Sequence, residues 1–170
     1  MIKKKGLSQI VATVLIILLT VSAATLIASF LIPFIKSQLE STECLNYRDY
    51  FSFEDEFGYN CFNETQGGKL YAVSIRAGSV NEEKSNAIAG MRIVYLSATD
   101  SVSVDVIEGM NRGDFYMVNT SLPITIPKSG EVKTYVFKNS EIFSKVEIAP
   151  KLKTGKLCEV SASVSIEDNQ

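Results

Sequence analysis

Hydrophobic and polar positions divide this chain into two regimes. From Leu7 to Ile35 there is no Asp, Glu, Lys or Arg, and the 29 positions are almost all apolar or small. A helix without a polar stripe cannot lie on a solvated surface. At ~1.5 Å per residue the run reaches about 43 Å, more than a roughly 30 Å hydrocarbon core requires. Lys3, Lys4 and Lys5 precede it and Lys36 follows it. This arrangement predicts that the N-terminal lysines stay cytoplasmic and that the chain after Lys36 faces outward. Pro33 predicts a kink or interruption one turn before Lys36, because it lacks an amide hydrogen and clashes with the preceding turn. Ser37 to Thr42 then forms the polar exit from the helix.

Beyond the exit the pattern changes to a period of two. Cys158, Val160, Ala162, Val164 and Ile166 alternate with Glu159, Ser161, Ser163, Ser165 and Glu167, as in a half-buried strand. Val102, Val104 and Val106 do the same, as do Tyr71, Val73 and Ile75. Further strands are predicted at 91–96, 132–138 and 145–148, with weaker signals at 47–53 and 115–118. Turn chemistry separates them at Gln66-Gly67-Gly68, Asn111-Arg112-Gly113, Pro127-Lys128-Ser129-Gly130 and Lys153-Thr154-Gly155. The segments 146–148 and 157–166 are expected to form the last hairpin. The 82–89 region is expected to be a polar loop rather than a short helical turn. Seven or eight short strands without an amphipathic helix between them predict an antiparallel two-sheet sandwich. The expected fold is therefore α+β: an apolar transmembrane or stem helix over 7–40, then a β-sandwich over 41–170. An immunoglobulin-like topology is the best-fitting arrangement, although nothing in the sequence fixes strand order.

Composition narrows the chemistry. About 130 residues after the helix suffice for one domain with its own core. Net charge is −2, and no long basic run follows the N-terminal lysines, which disfavours nucleic acid as a partner. Histidine is absent, which removes the usual general base and the commonest metal ligand. The chain is expected not to be an enzyme and to carry no cofactor. Glu54-Asp55-Glu56, with Asp49 nearby, is expected to be a solvated acidic turn rather than a weak calcium site, since it lacks the alternating oxygens of a calcium loop. Gln66-Gly67-Gly68-Lys69 lacks the flanking glycine and the Ser/Thr of a phosphate-binding loop and is expected to be a hairpin turn. The aromatic group Tyr47, Tyr50, Phe51, Phe53, Phe57, Tyr59 and Phe62 is expected to be core or helix-packing surface.

Cys44, Cys61 and Cys158 all follow the apolar run, where an oxidising exterior favours a disulfide and leaves one cysteine over. Three pairings are open: Cys44–Cys61, Cys44–Cys158 and Cys61–Cys158. A bond from Cys44 or Cys61 to Cys158 would tie the start of the domain to its last strand; the alternative is a free core thiol at Cys158. Three cysteines without histidine or close spacing make no usual zinc site. The sequons Asn63-Glu64-Thr65 and Asn119-Thr120-Ser121 fall in turn-like segments and are candidate N-glycan acceptors at Asn63 and Asn119.

The start of the apolar run carries a more specific signal. Gly6-Leu7-Ser8, then Ile10-Val11-Ala12-Thr13-Val14-Leu15, follows the three lysines directly. An ordinary secretory signal has a shorter apolar region with small residues at its far end. This chain instead resembles the archaeal-type type IV pilins over about its first 35 residues. Two departures stand out: Gln9 replaces a proline common in that pattern, and Val11 replaces the glutamate that bacterial pilins carry at the fifth mature position.

The resemblance implies a prepilin leader over 1–6, removed between Gly6 and Leu7 by a prepilin peptidase. It further implies a stem that leaves the membrane and packs with other pilin subunits in a helical surface filament, with roles in attachment. Thr20, Ala24 and Ala28 recur every fourth position and are candidate sites of close helix approach. The rival expectation is an anchored ectodomain that binds a partner at the cell surface without polymerising.

Overall fold

A computed structural model of the 170-residue chain describes residues 5–56, 59–119 and 122–168; side chains are described for all of these except 5–9, 38–41 and 168. The chain divides into two compact units, Met1–Glu43 and Cys44–Gln170.

Helix α1 spans Lys5–Leu45 and contains Pro33 in its interior. The helix is not interrupted at Pro33, and it runs through the polar exit at 37–42 to end at Leu45. Good helix formers downstream, among them Lys36, Gln38, Leu39, Glu40 and Glu43, carry the helix on past the one lost hydrogen bond. One helix among the described residues is long and apolar enough to cross a membrane, and it covers Ile10–Leu45 of α1.

The second unit holds β1 (Phe51–Phe53), β2 (Cys61–Thr65), β3 (Gly68–Ala77), α2 (Glu82–Asn86), β4 (Ile88–Leu96) and β5 (Ser101–Ile107). After these come β6 (Phe115–Met117), β7 (Val132–Asn139), β8 (Lys145–Leu152), β9 (Ala162–Ser165) and β10 (Glu167–Asp168). One sheet has the order β10-β2-β3-β7-β6, with β1 also paired to β3; the other has the order β5-β4-β8-β9. All pairings are antiparallel except β10 with β2. The order β2-β3-β7-β6 beside β5-β4-β8-β9 is that of immunoglobulin strands A-B-E-D beside C′-C-F-G.

A single core lies between the sheets. Tyr71, Val73 and Ile75 of β3 and Tyr135 and Phe137 of β7 are fully buried, as are Met91, Ile93 and Tyr95 of β4 and Val146 and Ile148 of β8. Tyr95 sits among the rings of Phe137 at 4.6 Å, Phe143 at 5.7 Å and Tyr71 at 5.9 Å. Gly90 is required where β4 crosses β5, since a Cβ there would lie 2.3 Å from the Val106 carbonyl oxygen. The Gln66-Gly67 hairpin turn joins β2 to β3 as expected, with Gly68 at φ 120°.

The hydroxyl of Tyr95 is buried without a hydrogen-bond partner among the described residues. An unpaired buried polar group costs about 1–3 kcal/mol. Tyr95→Phe keeps the ring contacts and removes the orphan oxygen, so it is expected to leave the thermal midpoint unchanged or raise it by a few degrees. A clear drop in midpoint on calorimetry would show that this hydroxyl is satisfied in solution.

Several local expectations are corrected. The 82–89 region opens with a short helix, not a loop, because Asn81 caps it: its side-chain oxygen accepts from the Lys84 amide at 3.1 Å, and Glu82 and Glu83 occupy the first turn. The predicted strand at 157–166 is ordered as β9 only from Ala162, and Val160 is exposed. Ser161 is occupied elsewhere: its hydroxyl donates to the Arg48 carbonyl and accepts from the Phe51 amide. The solvated acidic turn is only partly so, since Glu54 is buried and paired with the Arg76 guanidinium. Asn60 closes the gap between β1 and β2 by accepting from the Ser74 amide at 3.0 Å and donating to the Glu54 carbonyl at 2.9 Å.

Candidate functional site

From Ile10 to Ile35, helix α1 is built from residues that make no demand for water. Every described side chain from Ile10 to Ser37 is exposed, the large aliphatic ones included. Five hydroxyls interrupt the apolar surface, and each is satisfied within the helix. Thr13 donates to the Ile10 carbonyl at 2.8 Å and Thr20 to Ile17 at 2.9 Å. Ser22 donates to Leu18 at 2.8 Å and Leu19 at 3.0 Å, Thr25 to Ser22 at 2.9 Å, and Ser29 to Leu26 at 2.8 Å. A hydroxyl bonded to the preceding turn enters an apolar medium without leaving a donor stranded. The sequence signal for this was the spacing of Ser and Thr within the apolar run, which the small-residue argument alone did not use.

The structure places the residues singled out from sequence as follows. Thr20, Ala24 and Ala28 are all exposed, and their four-residue spacing puts them along one side of α1. Gly6 and Leu7 fall within the helical span of α1, and the Leu7 side chain lies outside the described residues. Cys44 is bonded to Cys158, with Cα atoms 5.3 Å apart and a sequence separation of 114. That selects one of the three open pairings and removes the free core thiol at Cys158. Cys61 is the free cysteine, half-buried on β2, and burial pushes its thiol pKa up.

Asn63 is exposed but lies within strand β2 rather than in a turn, because β2 pairs with β3 up to the Gln66-Gly67 turn. Asn119 is exposed at a bend, while Thr120 and Ser121 of its sequon lie outside the described residues. Of the aromatic group, Tyr47, Tyr50 and Phe51 are in the core, Phe53 and Phe62 pack against it, and Tyr59 is exposed; Phe57 lies outside the described residues.

Charges in the second unit are paired across strands. Asp105 on β5 accepts from Arg92 on β4 at 2.5 and 2.9 Å and from Lys151 on β8 at 3.2 Å. The Arg92 hydrogen bond is the largest influence, and it holds the Asp105 carboxyl down at about 2. This network staples three strands of one sheet. Each of its ions has a partner on a neighbouring strand.

A cleft of about 610 Å³ is lined by Tyr50, Glu82, Ile88, Ile126, Lys128 and Lys153 among others. Its two serines are engaged within the fold, Ser85 with the Tyr50 hydroxyl at 3.2 Å and Ser129 with the Val80 backbone at 2.9 Å, and among the described residues no cluster of three or more Cys, Asp or Glu side chains is placed to hold a metal ion. The feature in need of a partner is the apolar helix. Comparison with known proteins finds no matching protein-family model and no similar curated protein.

Proposed function

We propose that this chain is a pilin-like structural subunit of an archaeal-type cell-surface filament, held in the membrane by α1 before assembly and in the filament core by the same helix afterwards. The observation that carries this reading is the fully exposed helix surface with every described hydroxyl from Thr13 to Ser29 internally bonded. Such a helix moves from lipid to a protein core without exchanging hydrogen bonds. A charge at its centre would cost about 2.5–3.5 kcal/mol in the bilayer. The leader over 1–6 is removed at Gly6-Leu7 by a prepilin peptidase, and the immunoglobulin-like unit forms the outer surface, with Asn63 and Asn119 exposed as N-glycan acceptors.

The Thr20-Ala24-Ala28 row separates assembly from anchoring. In lipid, Ala24→Leu adds apolar surface to an apolar solvent and is expected to leave insertion unchanged. Between helices it overfills a close contact, at about 1–3 kcal/mol. That corresponds to roughly a 5- to 150-fold loss in association. Filament yield after shearing, counted by electron microscopy, should fall accordingly, while the near-isosteric Ile17→Leu should not change it. Membrane-bound protein with no filaments from the unmodified chain would identify an anchored ectodomain instead. Normal filaments from Ala24→Leu would place the packing face elsewhere on α1.

A further inference from the structure

Strand β5 forms one edge of the four-stranded sheet, whose order is β5-β4-β8-β9. The strands at the other sheet ends are short: β9 has 4 residues, β6 has 3 and β10 has 2, whereas β5 has 7. Shortness, lysine, proline and bulges are the usual guards against edge pairing. β5 reads Ser-Val-Ser-Val-Asp-Val-Ile, without lysine or proline, and its register with β4 is unbroken from Ser101 to Ile107. Its one charge, Asp105, is already compensated by Arg92 and Lys151.

The hairpin between β4 and β5 fixes which backbone groups of β5 face outward. The Ser97 amide donates to the Asp100 carbonyl at 2.9 Å, and bonded pairs alternate along an antiparallel ladder. In the observed register the bonded pairs are therefore Tyr95–Val102, Ile93–Val104 and Met91–Val106. The Val106 carbonyl accordingly lies against β4, where a Cβ on Gly90 would come within 2.3 Å of it. The amides and carbonyls of Ser103 and Asp105 point the other way, and among the described residues no hydrogen bond reaches them. Such an edge is a template for a further strand.

We propose that β5 pairs antiparallel with β5 of a second copy of this chain, joining two four-stranded sheets into one. The strand is self-complementary in the register centred on Val104, in which all 7 residues find a partner. That register sets Ser103 opposite Asp105 of the second copy, and Val102 opposite Val106. Ser103 and Asp105 are the residues whose backbone groups face outward, so each such pair exchanges both of its bonds. Arg92 and Lys151 give Asp105 three hydrogen bonds, which leaves one of about four acceptor positions for the opposing Ser103 hydroxyl. A register centred on Asp105 would set two carboxylates directly opposite each other, which destabilises a ladder. The contact is isologous and closes on two copies. It lies wholly within the second unit, so it stands or falls independently of the filament reading.

The test follows amide hydrogen exchange of full-length protein in detergent across a range of protein concentrations, read by fragmentation mass spectrometry. Ser103 and Asp105 should exchange at least about threefold more slowly in concentrated than in dilute samples, while Val102, Val104 and Val106 stay slow throughout. Ser103→Pro removes an amide hydrogen that β4 does not use, and should leave Val104 slow and Asp105 fast at every concentration. Exchange at Asp105 that ignores concentration in the unmodified chain, or slows with it in Ser103→Pro, overturns the proposal. A second measurement needs no proline. In a Cys61→Ser background, pairing brings the two copies of a Ser103→Cys chain to a Cα separation of about 9 Å at that position. A short bismaleimide should join them at least about tenfold faster than it joins Ser163→Cys chains, whose exposed site lies on β9 at the opposite edge of the sheet. Equal rates at the two edges overturn the pairing.

Discussion

Cys158→Ser is expected to lower the stability of the second unit by about 4–5 kcal/mol, the chain-entropy value for a loop of this length. The bond spans 114 residues and links the lead-in to the sandwich with the connection before β9. It therefore restrains nearly the whole domain in its unfolded state. A domain of this size has only about 5–15 kcal/mol in hand, so the variant should be marginal at growth temperature. Cys44→Ser should behave in the same way. Cys61→Ser, which breaks no bond, should shift the midpoint little. The measurement is denaturant unfolding of full-length protein in detergent, followed by tyrosine fluorescence, with thiols counted under denaturing, non-reducing conditions. One free thiol is expected in the unmodified chain. Equal stability of the Cys158 and Cys61 variants would mean that the cross-link does not limit the unfolded chain.

Gly6→Val is expected to abolish maturation. The proposed leader ends at Gly6, and a peptidase that cuts between Gly6 and Leu7 must approach the backbone closely at a residue without a side chain. A β-branched residue there fills that space. The uncleaved chain should accumulate in the membrane, heavier than the mature form by the first six residues, and no filaments should appear. The apolar run itself is untouched, so insertion should continue. A normally processed Gly6→Val chain in filaments would show that this junction is not where the chain is cut.

The sandwich was legible wherever one strand face is buried and the other is wet. β3, β4, β5 and β7 carry that alternation, and each lies within a residue or a few of its expected position. β8 runs on to Leu152 through Pro150 although proline donates no hydrogen bond. Its pairing with β9 stops at Ile148, and the Pro150 carbonyl accepts from the Cys158 amide at 2.9 Å instead. β2 and β10 gave no signal, since Cys-Phe-Asn-Glu-Thr and Glu-Asp at the margin of a sheet bury too little to impose a period. The burial of Glu54 was equally hidden, because its partner Arg76 lies 22 residues away and meets it only once β1 and β3 pair. The choice among three cysteines likewise depends on the folded path. In the helix, the row of small residues was visible from spacing, whereas the internal bonding of the hydroxyls required the helical geometry itself.

The central claim is that this chain is a processed filament subunit and not a fixed anchor. Intact mass spectrometry of filaments sheared from the cell surface tests it most directly. The account predicts that the chain is present and begins at Leu7, at a mass lower than the full sequence by residues 1–6. A chain that begins at Met1 and stays with the membrane while the sheared fraction lacks it would contradict the account.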